Sequence, residues 1–338
     1  MMSHTSGEFL KPDLAALQGA SDDLSLGGLE PVTGFLGQKL VAGKYEVVNF
    51  LASGGSGTLF VARNLVTGET VALKVLDTDC SGRGRGHIPD GRLIARFLKE
   101  GRTLSMLSHP GVVKVLDSGF DLGINKYYLV QRFLPGETLE AYLERNAKSP
   151  ASFVLEFLWQ LGSALSYCHS VGVVHRDIKP ANIMMQPHLK GNFVYTLVDF
   201  GLARYERGNF SFLTRSREVL GSHYYMSPEQ CLSETIDERS DIYSLALVAY
   251  ELLLGRKAAS TGSPLNVLMS HVNGLNLPES LSESPPESLS ASLVNSDDLS
   301  EQLYKIIRKA ASRRPEERYQ SLDELLVELP RPEWREWK

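Results

Sequence analysis

The stretch VVHRDIKPANIM, residues 173–184, places Asp177, Lys179 and Asn182 within one short segment, beside Arg176 and a proline and between apolar flanks. A polar run between apolar elements is most often an ordinary loop, so this stretch decides nothing alone. A second stretch, LASGGSGTLF over Leu51–Phe60, is a glycine-rich turn between two apolar runs. Glycines let the backbone approach phosphates closely and adopt positive φ, so such a turn can cover a nucleotide. On its own the signal is weak, and a plain hairpin loop is the better reading. Downstream, VALK puts Lys74 near the end of the next-but-one strand, where its ammonium can meet phosphates beneath the turn. A lone lysine in a strand is usually just solvated.

The elements that must position these residues fall into two parts. KYEVVNFL, GTLFVARN and TVALKVLD are rich in β-branched and aromatic residues and separated by glycine-containing turns, which predicts three antiparallel strands. RLIARFLKEGRTLSML has apolar residues at helical spacing, and GVVKVLDSGF and KYYLVQRFL read as further strands. After Gly136 the pattern becomes helical. SFVLEFLWQLGSALSYCHS sets Phe153, Phe157, Leu158, Leu161, Leu165 and Cys168 on one face. An apolar helix is expected from about Asp241 to Leu254, capped by Gly255, with two more near 300–312 and 321–329. The Ser-, Glu- and Pro-rich run from Pro278 reads as a solvated insertion, and residues 1–43 as a flexible tail. The fold class is therefore α+β, a small antiparallel sheet lobe with one main helix over about 44–134 and a larger, mainly helical lobe over about 135–330. Residues 331–338 form a C-terminal tail.

Composition excludes several functions. A net charge of −5, with acids and bases mixed along 338 residues, gives no electrostatic case for nucleic acid or an anionic membrane as main partner. The cysteines Cys80, Cys168 and Cys231 lie far apart and form no CxxC pair, which argues against a disulfide framework or cysteine-rich zinc site and suits a reducing cytoplasm. The longest apolar run, Tyr243–Gly255, is short of the roughly 20 residues that span a bilayer. The N-terminus has neither the basic start nor the apolar core of a signal peptide.

Taken in order, the glycine loop, VALK, HRDIKPAN and LVDFGLAR resemble the signature set of the protein kinases. HRDIKPANIM and YYMSPEQ are phrased as in the bacterial eukaryotic-like Ser/Thr kinases, and the likeness covers roughly Lys44–Pro330. The resemblance implies a two-lobed fold and transfer of the γ-phosphate of ATP to Ser/Thr hydroxyls of protein substrates, with Mg2+ (or Mn2+) as metal. By it, Asp177 orients the acceptor hydroxyl and Lys179 sits by the transferring phosphate. Asn182 and Asp199 bind the metal, whose hardness suits a carboxylate and an amide oxygen. Leu51, Ala52, Ser53, Gly54, Gly55, Ser56, Gly57, Thr58 and Leu59 cover the nucleotide. Glu100 pairs with Lys74 and turns it toward the α and β phosphates. The hinge is Gln131–Leu134, with Gln131 as a polar gatekeeper. Cys168 and His169 are expected to pack, with no chemistry.

Further expectations follow from the same likeness. Glu229 and Arg318 match a buried ion pair. Arg176 reads a phosphate on the segment after Asp199, where Ser211, Thr214, Ser216 and Ser222 are the hydroxyl candidates. Thr214 and Ser216 are the expected autophosphorylation sites, an arrangement that admits a homodimer, while Ser222 is expected to contact the catalytic loop. Two departures stand out: Ala52 replaces the first loop glycine, and His223 replaces the more common proline or alanine. A pseudokinase scaffold and a small-molecule phosphotransferase are the alternatives. Intact Lys74, Asp177, Asn182 and Asp199 speak against the first, and SPEQ with the segment before it against the second.

Overall fold

The structure is a computed structural model and describes residues 40–54, 57–76, 101–188, 192–200, 219–259, 262–281 and 298–331. The smaller lobe is a six-stranded antiparallel sheet of β1 (Leu40–Val41), β2 (Tyr45–Gly54), β3 (Gly57–Asn64), β4 (Thr70–Val75), β5 (Val115–Asp121) and β6 (Lys126–Arg132), in the order β1-β2-β3-β4-β6-β5. β2, β3 and β4 are the three strands expected from their apolar runs. Their alternation sorts side chains by face: Val71, Leu73 and Val75 of β4 join Phe60, Ala62, Tyr128 and Val130 in one core, which sends Lys74 to the opposite face. At the end of the β2–β3 hairpin, Gly57 has φ 131°, and a Cβ there would fall 2.3 Å from the Val75 carbonyl oxygen. That position is open only to glycine.

The sheet starts at Leu40, not at Lys44, which corrects the expected tail boundary. A two-residue strand before a turn through Ala42 (φ 53°) and Gly43 (φ 66°) is too brief to leave a periodic signal. Residues 1–39, 282–297 of the Ser-rich insertion and 332–338 lie outside the described residues. Curling brings the two outer edges together. Tyr45 Oη and Lys44 Nζ reach the Asp117 carboxylate of β5 at 2.8 and 2.9 Å, and the Ala42 amide donates to Asp121.

The larger lobe contains α1 (Leu139–Arg145), α2 (Ala151–Ser170), α3 (Val219–Ser222), α4 (Pro228–Leu232), α5 (Glu238–Leu254), α6 (Pro264–Asn273), α7 (Asp298–Ala310) and α8 (Leu322–Glu328). α2 buries Phe157, Leu158, Leu161, Leu165 and Cys168, while Phe153 is only half-buried, stacked on Tyr142 at 5.1 Å. α5 is buried around most of its circumference, as befits a helix too apolar for a surface and too short for a bilayer. It begins at Glu238, three residues ahead of the expected Asp241, and Asp237 caps it by accepting from the Arg239 amide. Gly255 ends it at φ 69°, where a Cβ would lie 1.8 Å from the Ala147 carbonyl oxygen. A three-stranded sheet that the sequence pattern does not announce, β7 (Glu137–Thr138), β8 (Ile183–Pro187) and β9 (Phe193–Leu197), follows the junction of the lobes. Among the described residues no helix is long and apolar enough to cross a membrane.

Candidate active site

The segment between α2 and β8 has no regular secondary structure until Pro180–Asn182 forms one 3-10 turn. That turn folds the Asn182 amide back onto Asp177: Asn182 Nδ2 donates to the Asp177 carbonyl at 2.8 Å and to its carboxylate Oδ2 at 2.9 Å. Lys179 Nζ lies 3.2 Å from Asp177 Oδ2 and donates to Ser222 Oγ at 2.8 Å. From the other lobe, Lys74 Nζ reaches Asp199 Oδ1 at 2.8 Å. Five polar side chains from β4, the segment before β8 and the residues just after β9 thus converge at the cleft. The Lys74 ammonium beside Asp199 is the main reason its carboxyl is held below the usual range, so it stays ionised at neutral pH.

What fixes the catalytic segment is Asp241, in the first turn of α5. It is buried, and its two carboxylate oxygens accept from the His175 amide at 2.7 Å and the Arg176 amide at 2.8 Å. His169 Nε2 stands 2.8 Å from the same carboxylate, so His169 is a bonded partner of the site and not only a packing residue. Burial alone raises the Asp241 pKa, but His169, His175 and the Arg176 amide together bring it below the ordinary carboxylate value. Gln230 Nε2 adds a bond to the Arg176 carbonyl at 2.8 Å. These ties hold Arg176 at φ 68°, and Asp199 stands at φ 50°: two non-glycine residues in the left-handed region at the heart of the cleft. Asp241, Gln230 and His175 have no role in the sequence reading. An acid in the first turn of an otherwise apolar, buried helix is the signal that could have found Asp241, because such a charge requires partners.

On the nucleotide side, Ala52, Ser53 and Gly54 pair with Leu59, Thr58 and Gly57 across the hairpin, and Leu51 precedes them on β2. Ala52 sits in the strand ladder and needs no positive φ, so its methyl does not distort the turn. Gly55, Ser56 and Glu100 lie outside the described residues. Gln131 pairs with Ala72 of β4 and is buried, its Nε2 without a partner among the described residues. Below the site, Arg318 Nη1 and Nη2 meet the two Glu229 carboxylate oxygens at 2.8 and 2.9 Å, fully buried. Thr214, Ser216 and Ser211 fall outside the described residues. The Arg176 Nε is buried and unpartnered among the described residues.

A family model described as the protein kinase domain matches residues 45–328. The chain belongs to that family. Within it, the kinase chain is 33% identical over 291 residues to a probable serine/threonine-protein kinase of Streptomyces coelicolor, covering 86% of this chain and 40% of the relative. It is 32% identical over 290 residues to the serine/threonine-protein kinase PknB of Mycolicibacterium smegmatis (85% and 43%). To PrkC of Bacillus subtilis it is 31% identical over 291 residues (86% and 41%). This kinase domain chain spans about two fifths of the length of those relatives. Protein kinases use ATP and a divalent metal, and the residues present fit such a group. No described residue donates to Asn182 Oδ1, whose amide nitrogen is fully engaged, and the Asp199 side chain is 45% exposed. Together they offer two oxygen donors suited to a hard cation.

Proposed function

We propose that the chain is an ATP- and Mg2+-dependent serine/threonine protein kinase, its catalytic unit running from Leu40 to about Pro330, with Mn2+ able to replace Mg2+. The observation that carries this reading is the convergence of Lys74, Asp177, Lys179, Asn182 and Asp199 through contacts of 2.8–3.4 Å. In phosphoryl transfer the protein's task is positioning and charge stabilisation, with little covalent chemistry of its own. The acceptor oxygen bonds to the γ-phosphorus as the bridging P–O bond to ADP breaks, and the hydroxyl proton passes to the Asp177 carboxylate. Lys179, held between Asp177 and Ser222, places a positive charge where the transferred group gathers negative charge. Asn182 and Asp199 would hold a divalent metal, which when bound would supply further neutralisation of the phosphates. Three widely spaced cysteines, of which the described Cys168 and Cys231 are free thiols, support a reducing, cytoplasmic setting.

Regulation is proposed through Thr214 and Ser216. The buried Nε of Arg176, unpartnered among the described residues, supports this, since a phosphoryl group brings a charge of about −1.5 to −2 and three acceptor oxygens that an arginine can bind. Autophosphorylation between two copies is the simplest route to it. The test is incubation with Mg2+ and labelled ATP, with and without a generic basic protein. Asp177→Asn is expected to lower transfer by about 100-fold or more while ATP still binds. Asp199→Asn is expected to weaken Mg2+-dependent ATP binding as well. Mass spectrometry of the active protein should find phosphate on Thr214 or Ser216 and none in Asp177→Asn. Transfer to a small molecule alone would favour the phosphotransferase alternative, and ATP binding without transfer a scaffold.

A further inference from the structure

The segment from Ser222 to Ser227, on the acceptor side of the cleft, is held by side chains that reach its backbone and hydroxyls. Ser244 Oγ donates to the Tyr225 carbonyl at 2.7 Å, and Lys179 Nζ donates to Ser222 Oγ at 2.8 Å. A further tie comes from α6, a helix with no part in the chemistry described above. His271 Nε2 of α6 lies 2.9 Å from the His223 carbonyl oxygen, and Nδ1 of the same ring lies 2.8 Å from the Tyr243 hydroxyl. All three residues are at most 1% exposed.

The partners determine the ring's state. A carbonyl oxygen only accepts, so Nε2 carries the proton and donates; Nδ1 is then the acceptor of the Tyr243 O–H. Burial lowers the His271 pKa to about 4, which keeps this neutral tautomer at physiological pH. Tyr243 is itself fixed, with the Arg318 guanidinium 4.7 Å from its ring centroid. A continuous line therefore runs from Arg318 through Tyr243 and His271 to the His223 backbone, and one residue further to Ser222, Lys179 and Asp177.

We infer that His271 is a positioning residue for the protein acceptor: it pins the His223 carbonyl, so that the adjoining Ser222 hydroxyl stays where Lys179 meets it. The inference rests on the kinase reading above. The nucleotide side, Lys74, Asp199 and the β2–β3 hairpin, makes none of these contacts. Loss of the tie should thus disturb acceptor binding and transfer and spare ATP.

Three variants test this. His271→Leu removes both ring functions; His271→Gln restores a donor and an acceptor; Tyr243→Phe removes the hydroxyl that selects the tautomer. Initial rates with a generic basic protein as acceptor give both KM values, and fluorescence titration with a non-hydrolysable ATP analogue gives ATP affinity independently of turnover. His271→Leu is expected to raise the acceptor KM by about tenfold, the worth of roughly one hydrogen bond, with ATP affinity within about twofold of wild type. His271→Gln should recover most of that loss, and Tyr243→Phe should show a smaller rise of the same kind. Nitrogen NMR of histidine-labelled wild type should show a ring protonated at Nε2 and bare at Nδ1 at pH 7. Equal effects on ATP and acceptor, a glutamine variant no better than leucine, or the opposite tautomer would overturn the inference. If His271→Leu fails to fold, His271→Gln and Tyr243→Phe still decide it: a Tyr243→Phe enzyme with unchanged acceptor KM counts against it. Wild type that binds ATP yet phosphorylates no acceptor overturns the kinase reading and this inference with it; active wild type with uniform variants overturns the inference alone.

Discussion

Two ion pairs with the same 2.8 Å separation are built to opposite ends. In the Glu229–Arg318 pair every N–H of the guanidinium is used. The guanidinium has five N–H groups, and they reach both Glu229 oxygens and the carbonyls of Ser312, Arg239 and Arg313. Glu229 also accepts from Ser240 Oγ. In the Lys74–Asp199 pair the lysine is buried, but the aspartate is 45% exposed, at φ 50°. A saturated pair has nothing left to offer a ligand and fastens the end of the acceptor segment to the last helices. A pair with an exposed carboxylate, held in a strained backbone, is available for chemistry.

The contrast can be broken at four points. Arg318→Ala leaves a buried carboxylate without its cation and should cost about 3 to 5 kcal/mol in urea unfolding; wild-type stability would show that the pair contributes nothing. Lys74→Met should do the reverse. Transfer falls by about 100-fold or more through loss of a charge aimed at phosphates, while stability stays within about 1 kcal/mol, because Asp199 can hydrate where it is exposed. A large drop in melting temperature would erase the distinction between the two pairs. Ser240→Ala removes one donor from Glu229 and should cost about 1 kcal/mol with activity retained. The smallest effect is in the acid limb of stability. Burial raises the Glu229 pKa, but the Arg318 and Ser240 bonds bring it below the ordinary value. Its contribution is therefore complete above the unfolded-state value of about 4.3 and is lost as pH falls through the lower folded value. Urea midpoints from pH 6 down to 3.5 should fall less steeply in Glu229→Gln than in wild type.

Sequence pattern disclosed one side of this contrast better than the other. β2, β3 and β4 were legible because each is rich in apolar strand-forming residues and is bounded by glycine-containing turns. Lys74, Asp177, Lys179, Asn182 and Asp199 were legible through family likeness, and Glu229 with Arg318 likewise. β7, β8 and β9 were not, since strands of two to five residues give no periodic signal. Asp241 was read only as the approximate start of the apolar helix. Its partners His169, His175 and Arg176 lie 65 to 72 residues earlier, a separation that no local pattern registers. His271 was equally silent: one histidine on a short helix reveals neither the tyrosine nor the carbonyl that determines its tautomer.

The meeting of β5 with the β1–β2 corner bears on how the chain behaves in company. A six-stranded open sheet has two rows of unpaired backbone groups, each a template on which another chain can add a strand. Among the described residues the outermost strand on one side is two residues long, and its neighbouring Ala42 amide is already taken by Asp121. The strand at the other margin carries Asp117 and Asp121, whose carboxylates turn inward to Lys44, Tyr45 and Ala42. A passing strand therefore finds one margin too short to copy and the other lined with committed acids, so the smaller lobe resists edge-to-edge association even while its cleft stays open to a nucleotide.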